Sequence, residues 1–130
     1  IGHELWSNNS LINWFLSQNE KVNGFNNAIF SGLPTCYVAK VVENIITDYP
    51  DLQGLYHLSV DPIDKYTLLE KVKNTYKKDI TIHKYPDFKI DRSLNSKKLQ
   101  NLIKFTPPTW DYLIQLMHEE YLTYFKRMNE

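Results

Sequence analysis

Apolar residues cluster along this chain in short runs, each opened by polar or turn-forming residues, and their spacing predicts most of the elements. Leu11, Ile12, Trp14, Phe15 and Leu16 follow the polar run Ser7-Asn8-Asn9-Ser10. Asn9 or Ser10 is a natural N-cap there, so a short, mostly buried helix is expected. Lys21 to Phe30 leans to β structure, with turn or bulge signals at Asn23-Gly24 and Asn26-Asn27. Ser31-Gly32-Leu33-Pro34-Thr35 is a tight loop whose Thr35 is placed to cap the next helix. That helix carries Tyr37, Val38, Val41, Val42, Ile45 and Ile46 at helical spacing, which defines one core face, and ends at Tyr49-Pro50-Asp51. Gly54 to Val60 reads as a buried strand, and Asp61-Pro62 as the opening of a helix with Tyr66, Leu69, Val72 and Tyr76 on its inner face. Ile80–Lys84 and Phe88–Asp91 are expected as short strands on either side of Tyr85-Pro86. Ser93 to Leu102 reads as a short helix capped near Asn95 or Ser96. After Pro107-Pro108, Thr109 caps the longest helix, with a stripe of Trp110, Leu113, Ile114, Met117, Tyr121, Tyr124 and Met128. The order of elements points to an α/β domain, a small mixed sheet packed by helices, spanning residues 1–130 as one unit.

Composition narrows the function classes. The 130 residues are 42% hydrophobic and 14% aromatic, enough for one core. Fifteen basic residues balance fifteen acidic ones, which argues against a nucleic-acid or membrane-surface binder. No stretch approaches the roughly 20 apolar residues of a membrane span. Cys36 is the single cysteine, so no internal disulfide forms, and a cytoplasmic setting is expected. The opening Ile1-Gly2-His3 suggests a fragment of a longer chain.

Self-contained catalytic motifs do not emerge. The four glycines stand at 2, 24, 32 and 54, too scattered for a dinucleotide or Walker loop. His3, His57, His83 and His118 share no metal-ligand spacing, so no metal site is expected. Tyr85-Pro-Asp-Phe-Lys89 fits a Tyr-x-x-x-Lys spacing. That pair works only when a helix sets both side chains on one face, and Pro86 opposes a helix. No catalytic residue is assigned.

Four segments, in order, resemble a known family. They are Ile1-Gly-His-Glu-Leu5 leading into Leu11-Ile-Asn-Trp-Phe-Leu-Ser-Gln18; Ala28-Ile-Phe-Ser-Gly-Leu-Pro-Thr35; Gly54-Leu-Tyr-His-Leu-Ser-Val-Asp-Pro-Ile63 with Lys65-Tyr66 and Leu68-Leu69; and Ile90-Asp-Arg-Ser-Leu-Asn95 with Pro107-Pro-Thr-Trp110. Together they resemble the C-terminal, substrate-binding half of the dTDP-4-dehydrorhamnose reductase-like group of extended short-chain dehydrogenases. The resemblance implies an NADPH- or NADH-dependent reduction of a 4-keto group on a nucleotide-linked sugar, in precursor synthesis for surface polysaccharides. It places the cofactor loop and the catalytic Tyr/Lys pair in an N-terminal Rossmann half, absent here, so the fragment itself is expected to hold no cofactor. Expected partners are a nucleotide-diphospho-sugar, the missing Rossmann half and a second copy in a homodimer.

The resemblance also nominates ligand-binding residues, each with a structural alternative. Arg92 resembles the arginine that clamps the diphosphate, or pairs at the surface with Asp91 or Asp87; the family often has Arg-Pro where this chain has Arg92-Ser93. Ser31 and Thr35 sit in a turn like the family's Gly-x-Pro-Thr, near the ligand or simply a turn and a cap. Asn9 either meets a phosphate or caps its helix. His3, with Glu4, lines the sugar pocket or lies frayed at a chain end. Trp110 stacks on a base or, like Trp6 and Trp14, anchors core or interface. Lys71, Lys73, Lys77 and Lys78 read as a solvated helix face. A non-catalytic binding module of the same fold is the alternative function, and a winged-helix-like nucleic-acid binder a third, opposed by the neutral charge.

Overall fold

The computed structural model describes residues 1–7 and 9–125. Asn8 of the polar run and Met128 of the terminal stripe lie outside the described residues. Among the described residues, five α-helices and five short strands follow one another as α1 (Leu11–Ser17), β1 (Lys21–Gly24), β2 (Asn27–Phe30), α2 (Thr35–Asp48), β3 (Ile63–Asp64), α3 (Lys65–Tyr76), β4 (Thr81–Lys84), β5 (Lys89–Arg92), α4 (Lys97–Ile103) and α5 (Trp110–Glu120). A π-helical turn, Tyr121–Phe125, continues α5.

The expected mixed sheet is present, but as two pieces. β1 pairs in parallel with β4, while β2 pairs in parallel with β5 and antiparallel with β3. The two parallel pairs form one kinked ribbon. Lys21 faces Thr81 before the kink and Asn27 faces Lys89 after it, so four residues (85–88) oppose two (25–26). Such an unequal count bends the strands, as a bulge does. The kink is pinned by the Tyr85 N–H on the Gly24 carbonyl at 2.9 Å and by the Asn27 side-chain amide on the Pro86 carbonyl at 2.8 Å. Gly24 is required there, because a Cβ would come within 2.9 Å of the Tyr66 Cα in α3.

α3 lies across both sheet pieces and against α5. Its Leu68, Leu69 and Val72 meet Ile12 and Phe15 of α1, Val22 and Ile82 of β1 and β4, and Leu113, Ile114 and Met117 of α5 in the main core. A second cluster joins Val41 of α2 to Leu99 and Ile103 of α4. Three caps match the sequence reading or refine it. Ser10, not Asn9, accepts the Asn13 N–H at 3.1 Å, and Thr109 accepts that of Tyr112 at 3.3 Å. α3 starts three residues beyond Pro62, where Asp64 accepts the Thr67 N–H at 2.9 Å. The Asp61-Pro62 opening is thus corrected: these residues precede β3, whose two-residue ladder delays the helix.

Other expectations are also corrected. Thr35 does not cap α2; it is its first residue, the cap position is Pro34, and no side chain bonds the helix end. Val42 and Ile46 turn outward, Ile46 being 69% exposed, because α2 contacts its neighbours along the Val41 edge. Gly54–Val60 is not a strand. Gly54 has φ +111°, Leu55 is 82% exposed, and only the end, Ser59-Val60, is buried. Trp6 is 89% exposed, Trp14 half-buried, and Trp110 part of the core. On the lysine-bearing face of α3, Lys71 pairs with the exposed Asp111 at 2.5 Å, and in the turn after the helix Lys78 donates to the Leu16 carbonyl at 2.7 Å, tying the end of α1 to that of α3.

Candidate functional site

The kink of the ribbon creates a cleft of about 310 Å³. Phe25 and Phe88 enter it from the two crossings, and Phe30, Ile29 and Ile90 from β2 and β5. Two cations reach this apolar setting: Arg92 at the end of β5 and Lys65 at the start of α3. Arg92 stands opposite Phe30 in the parallel ladder. It is exposed, and neither Asp87 nor Asp91 forms an ion pair with it among the described residues. Asp91 is engaged elsewhere. Its carboxylate accepts from Ser93, which holds its pKa below the usual carboxylate value.

Lys65 was not singled out as a ligand contact from the sequence, nor were Phe25 and Phe88. The Lys65 ammonium lies 4.9 Å from the Phe25 ring centroid and 5.1 Å from that of Trp14, and burial lowers its pKa. Two rings facing one cation form a cation–π arrangement that holds the charge in place without neutralising it. Phe25 also packs against Tyr85 and Phe88 at centroid distances of 5.5 and 5.3 Å. The sequence signal was the aromatic residue on each side of the two turns, visible only once the turns are known to be adjacent.

The remaining nominated residues do not gather around Arg92. Ser31 is 1% exposed and holds the chain that follows Arg92: its hydroxyl accepts the Leu94 N–H at 2.8 Å. Ser59 donates to the Leu94 carbonyl at 2.8 Å, and the Ser96 hydroxyl donates to the Ser59 carbonyl at 2.9 Å. Three buried serines therefore fix the 93–96 loop, and through it the end of β5. Trp110 is 7% exposed, its indole N–H is spent on the Asp61 carbonyl at 2.8 Å, and its ring sits 5.9 Å from Phe30, beneath the cleft. Thr35 is exposed on the outer end of α2; its N–H meets the Ile1 carbonyl at 2.8 Å, and a Cβ at Gly2 would come within 2.3 Å of its hydroxyl. Asn9 is exposed, and its backbone N–H goes to the Glu4 carboxylate at 3.0 Å. That carboxylate also accepts from Ser7 and Ser10, and these bonds hold its pKa below the usual value. His3 is half-buried between Asn13 and Tyr76. Of the nominated residues only Arg92 lines the cleft.

The glycines form no dinucleotide-binding loop among the described residues. The space beside Gly2, Gly24 and Gly32 is filled by the protein's own side chains, Thr35, Tyr66 with Ile82, and Phe30 in turn, so none of these three opens as a phosphate cradle, while Tyr56 stands at ordinary contact distance from Gly54. Tyr85 lies in the crossing and Lys89 opens β5, so the Tyr-x-x-x-Lys spacing builds no helical pair. No group of three His, Cys, Asp or Glu side chains suited to a metal ion occurs among the described residues.

A kinked parallel ribbon clasped by helices, with a cationic aromatic cleft at the kink, defines a small α/β unit. Solved structures carry the same fold. A dTDP-4-dehydrorhamnose reductase from Clostridium acetobutylicum ATCC 824 superposes with a TM-score of 0.67 at 11% identity, over 88% of this chain and 45% of that one. A dTDP-4-dehydrorhamnose reductase from Bacillus anthracis str. Ames, in complex with NADP, matches at 0.62 and 14%, over 84% and 41%. A UDP-N-acetylglucosamine 4-epimerase from Bacillus cereus matches at 0.66 and 18%, over 86% and 42%. The chain thus has a fold found within dTDP-4-dehydrorhamnose reductases and related extended short-chain dehydrogenases, and spans less than half their length. No family model matches the sequence, and no curated protein matches it.

Proposed function

We propose that this chain is the substrate-binding, C-terminal part of an NAD(P)H-dependent enzyme that modifies a nucleotide-linked sugar, a 4-keto reductase in the first instance. The observation that carries the reading is the cleft, where two cations and two phenylalanines meet at the kink of the ribbon. A nucleoside diphosphate has the complementary chemistry: a flat base for Phe25 and Phe88, and phosphate oxygens for the Arg92 fork and the Lys65 ammonium. Arg92 is exposed and unpaired with Asp87 or Asp91, so it is available to a ligand. The serine network presets the chain beside it, which reduces the ordering cost of binding.

In this role the chain grips and orients the substrate, and positioning is what it contributes to rate. In this reading the hydride donor and the acid belong to a partner half with its own Rossmann fold. Thermal-shift titration with dTDP, UDP and GDP tests the reading, with Arg92→Ala as control. A ligand that binds only the native state stabilises it by about 2.7 kcal/mol at a hundredfold excess over its dissociation constant. Stabilisation by one of the three, lost in the variant, is the expected result. Equal melting with and without every nucleotide refutes it.

A further inference from the structure

Gly32, in the loop between β2 and α2, is not held to glycine by its own backbone. Among the described residues Gly54 is the one glycine with positive φ, so position 32 lies outside the left-handed region. What it lacks is room. A Cβ there would stand 2.4 Å from Phe30 Cζ and 2.6 Å from Phe30 Cε2. The next atom it would meet beyond its chain neighbours, Phe30 Cε1, is already at 3.5 Å, an ordinary contact. The Phe30 ring alone therefore demands glycine at this position.

That ring has one direction in which to yield. Phe30 lies on the central strand of its sheet, paired with Ile63 on one side and Arg92 on the other, so its backbone is fixed. Trp110 backs the ring at a centroid distance of 5.9 Å. The indole cannot retreat, being 7% exposed and bonded to the Asp61 carbonyl at 2.8 Å. The open side is the cleft, of which Phe30 is a wall.

We propose that Gly32 sets the bore of the cleft: having no side chain, it lets the Phe30 ring lie back against the loop and so keeps the ring clear of Arg92. Gly32 does not line the cleft itself, so it is a positioning residue that acts through Phe30. An alanine would push the ring tip by about 1 Å to regain a contact of 3.4 Å, and the ring would move into the cleft. Phe30 and Arg92 are ladder partners and project to the same face, so the displaced ring crowds the guanidinium. The effect on a ligand rests on the proposed function; the position of the ring does not.

Crystal structures of Gly32→Ala, Phe30→Leu and the double variant, with calorimetric titration of each by dTDP and UDP, test the proposal. In Gly32→Ala the ring should turn toward Arg92 while the bond from Trp110 to Asp61 persists, and nucleotide affinity should fall about tenfold. In the Phe30→Leu background the same change should leave affinity within about twofold, because no ring is left to displace. If the wild type binds neither nucleotide, the proposed function falls, and the ring position in Gly32→Ala decides this proposal by itself. If Gly32→Ala folds only together with Phe30→Leu, the ring is still the obstacle. Failure to fold in both backgrounds, a ring that stays clear of Arg92, or wild-type affinity in Gly32→Ala overturns the proposal.

Discussion

Replacing Ser31 by alanine separates a structural serine from a ligand contact. The hydroxyl is buried and accepts the Leu94 N–H at 2.8 Å. Alanine fills nearly the same volume, so the packing loss is small, and the cost is that of a partly buried donor left without a partner, about 1–3 kcal/mol. The Leu94 carbonyl remains held by Ser59 at 2.8 Å, so the loop stays in place and the lower part of that range, about 1–2 kcal/mol, is expected. For a domain of this size each kcal/mol lowers Tm by about 4 °C. Urea unfolding followed by tryptophan fluorescence measures the change directly. Ser31→Ala combined with Ser59→Ala should cost more than the two singles together, because both grip Leu94. A single-variant loss under about 0.5 kcal/mol, within the usual range of neutral surface changes, refutes the reasoning. Unchanged stability with lost nucleotide binding would instead make Ser31 a ligand contact.

Gly24→Ala should destabilise by about 1–3 kcal/mol, since the new Cβ meets the Tyr66 backbone and Ile82 and the helix must shift; calorimetric melting checks it. Lys65→Met keeps the aliphatic packing under Phe25 and Trp14, so Tm should hold or rise, while diphosphate affinity drops about tenfold, or about 1.4 kcal/mol. Titration calorimetry at two salt concentrations reads both the loss and the weaker salt dependence. The Glu4 pKa is lowered in the fold, so its contribution to stability is complete above its ordinary 4.5 and disappears as the pH falls through the folded value. Glu4→Gln should flatten that acid limb in a pH series of urea midpoints.

Where local chemistry decides the structure, the sequence was readable. Ser10 and Thr109 cap α1 and α5 because each precedes an apolar run at helical spacing, and the strands around Tyr85-Pro86 carry β-leaning residues up to the turn. Long-range pairing was less visible. Gly54–Val60 has the composition of a buried strand, yet it forms no ladder and is held mainly at its end, by the Val60 N–H on the Ser31 carbonyl at 2.9 Å and by the Ser59 bonds to Leu94 and Ser96. Val42 and Ile46 fit the core face of α2 by period, but which edge of a helix is covered depends on its neighbours. Arg92 was found by resemblance and lies in the cleft, whereas Lys65 and the phenylalanines come together only when the two crossings meet. Ser31 reads as a turn residue, Ser59 as part of a strand and Ser96 as a candidate helix cap, and their shared burial follows from the contact between the segments that carry them.

The most direct test of the account is amide NMR of this chain titrated with dTDP and UDP. Binding in the cleft predicts shift changes concentrated at Ala28–Phe30, Lys65 and Ile90–Arg92, abolished by Arg92→Ala. Shifts centred on other segments, shifts that survive in the variant, or an unchanged spectrum contradict the assignment of the cleft as the nucleotide site.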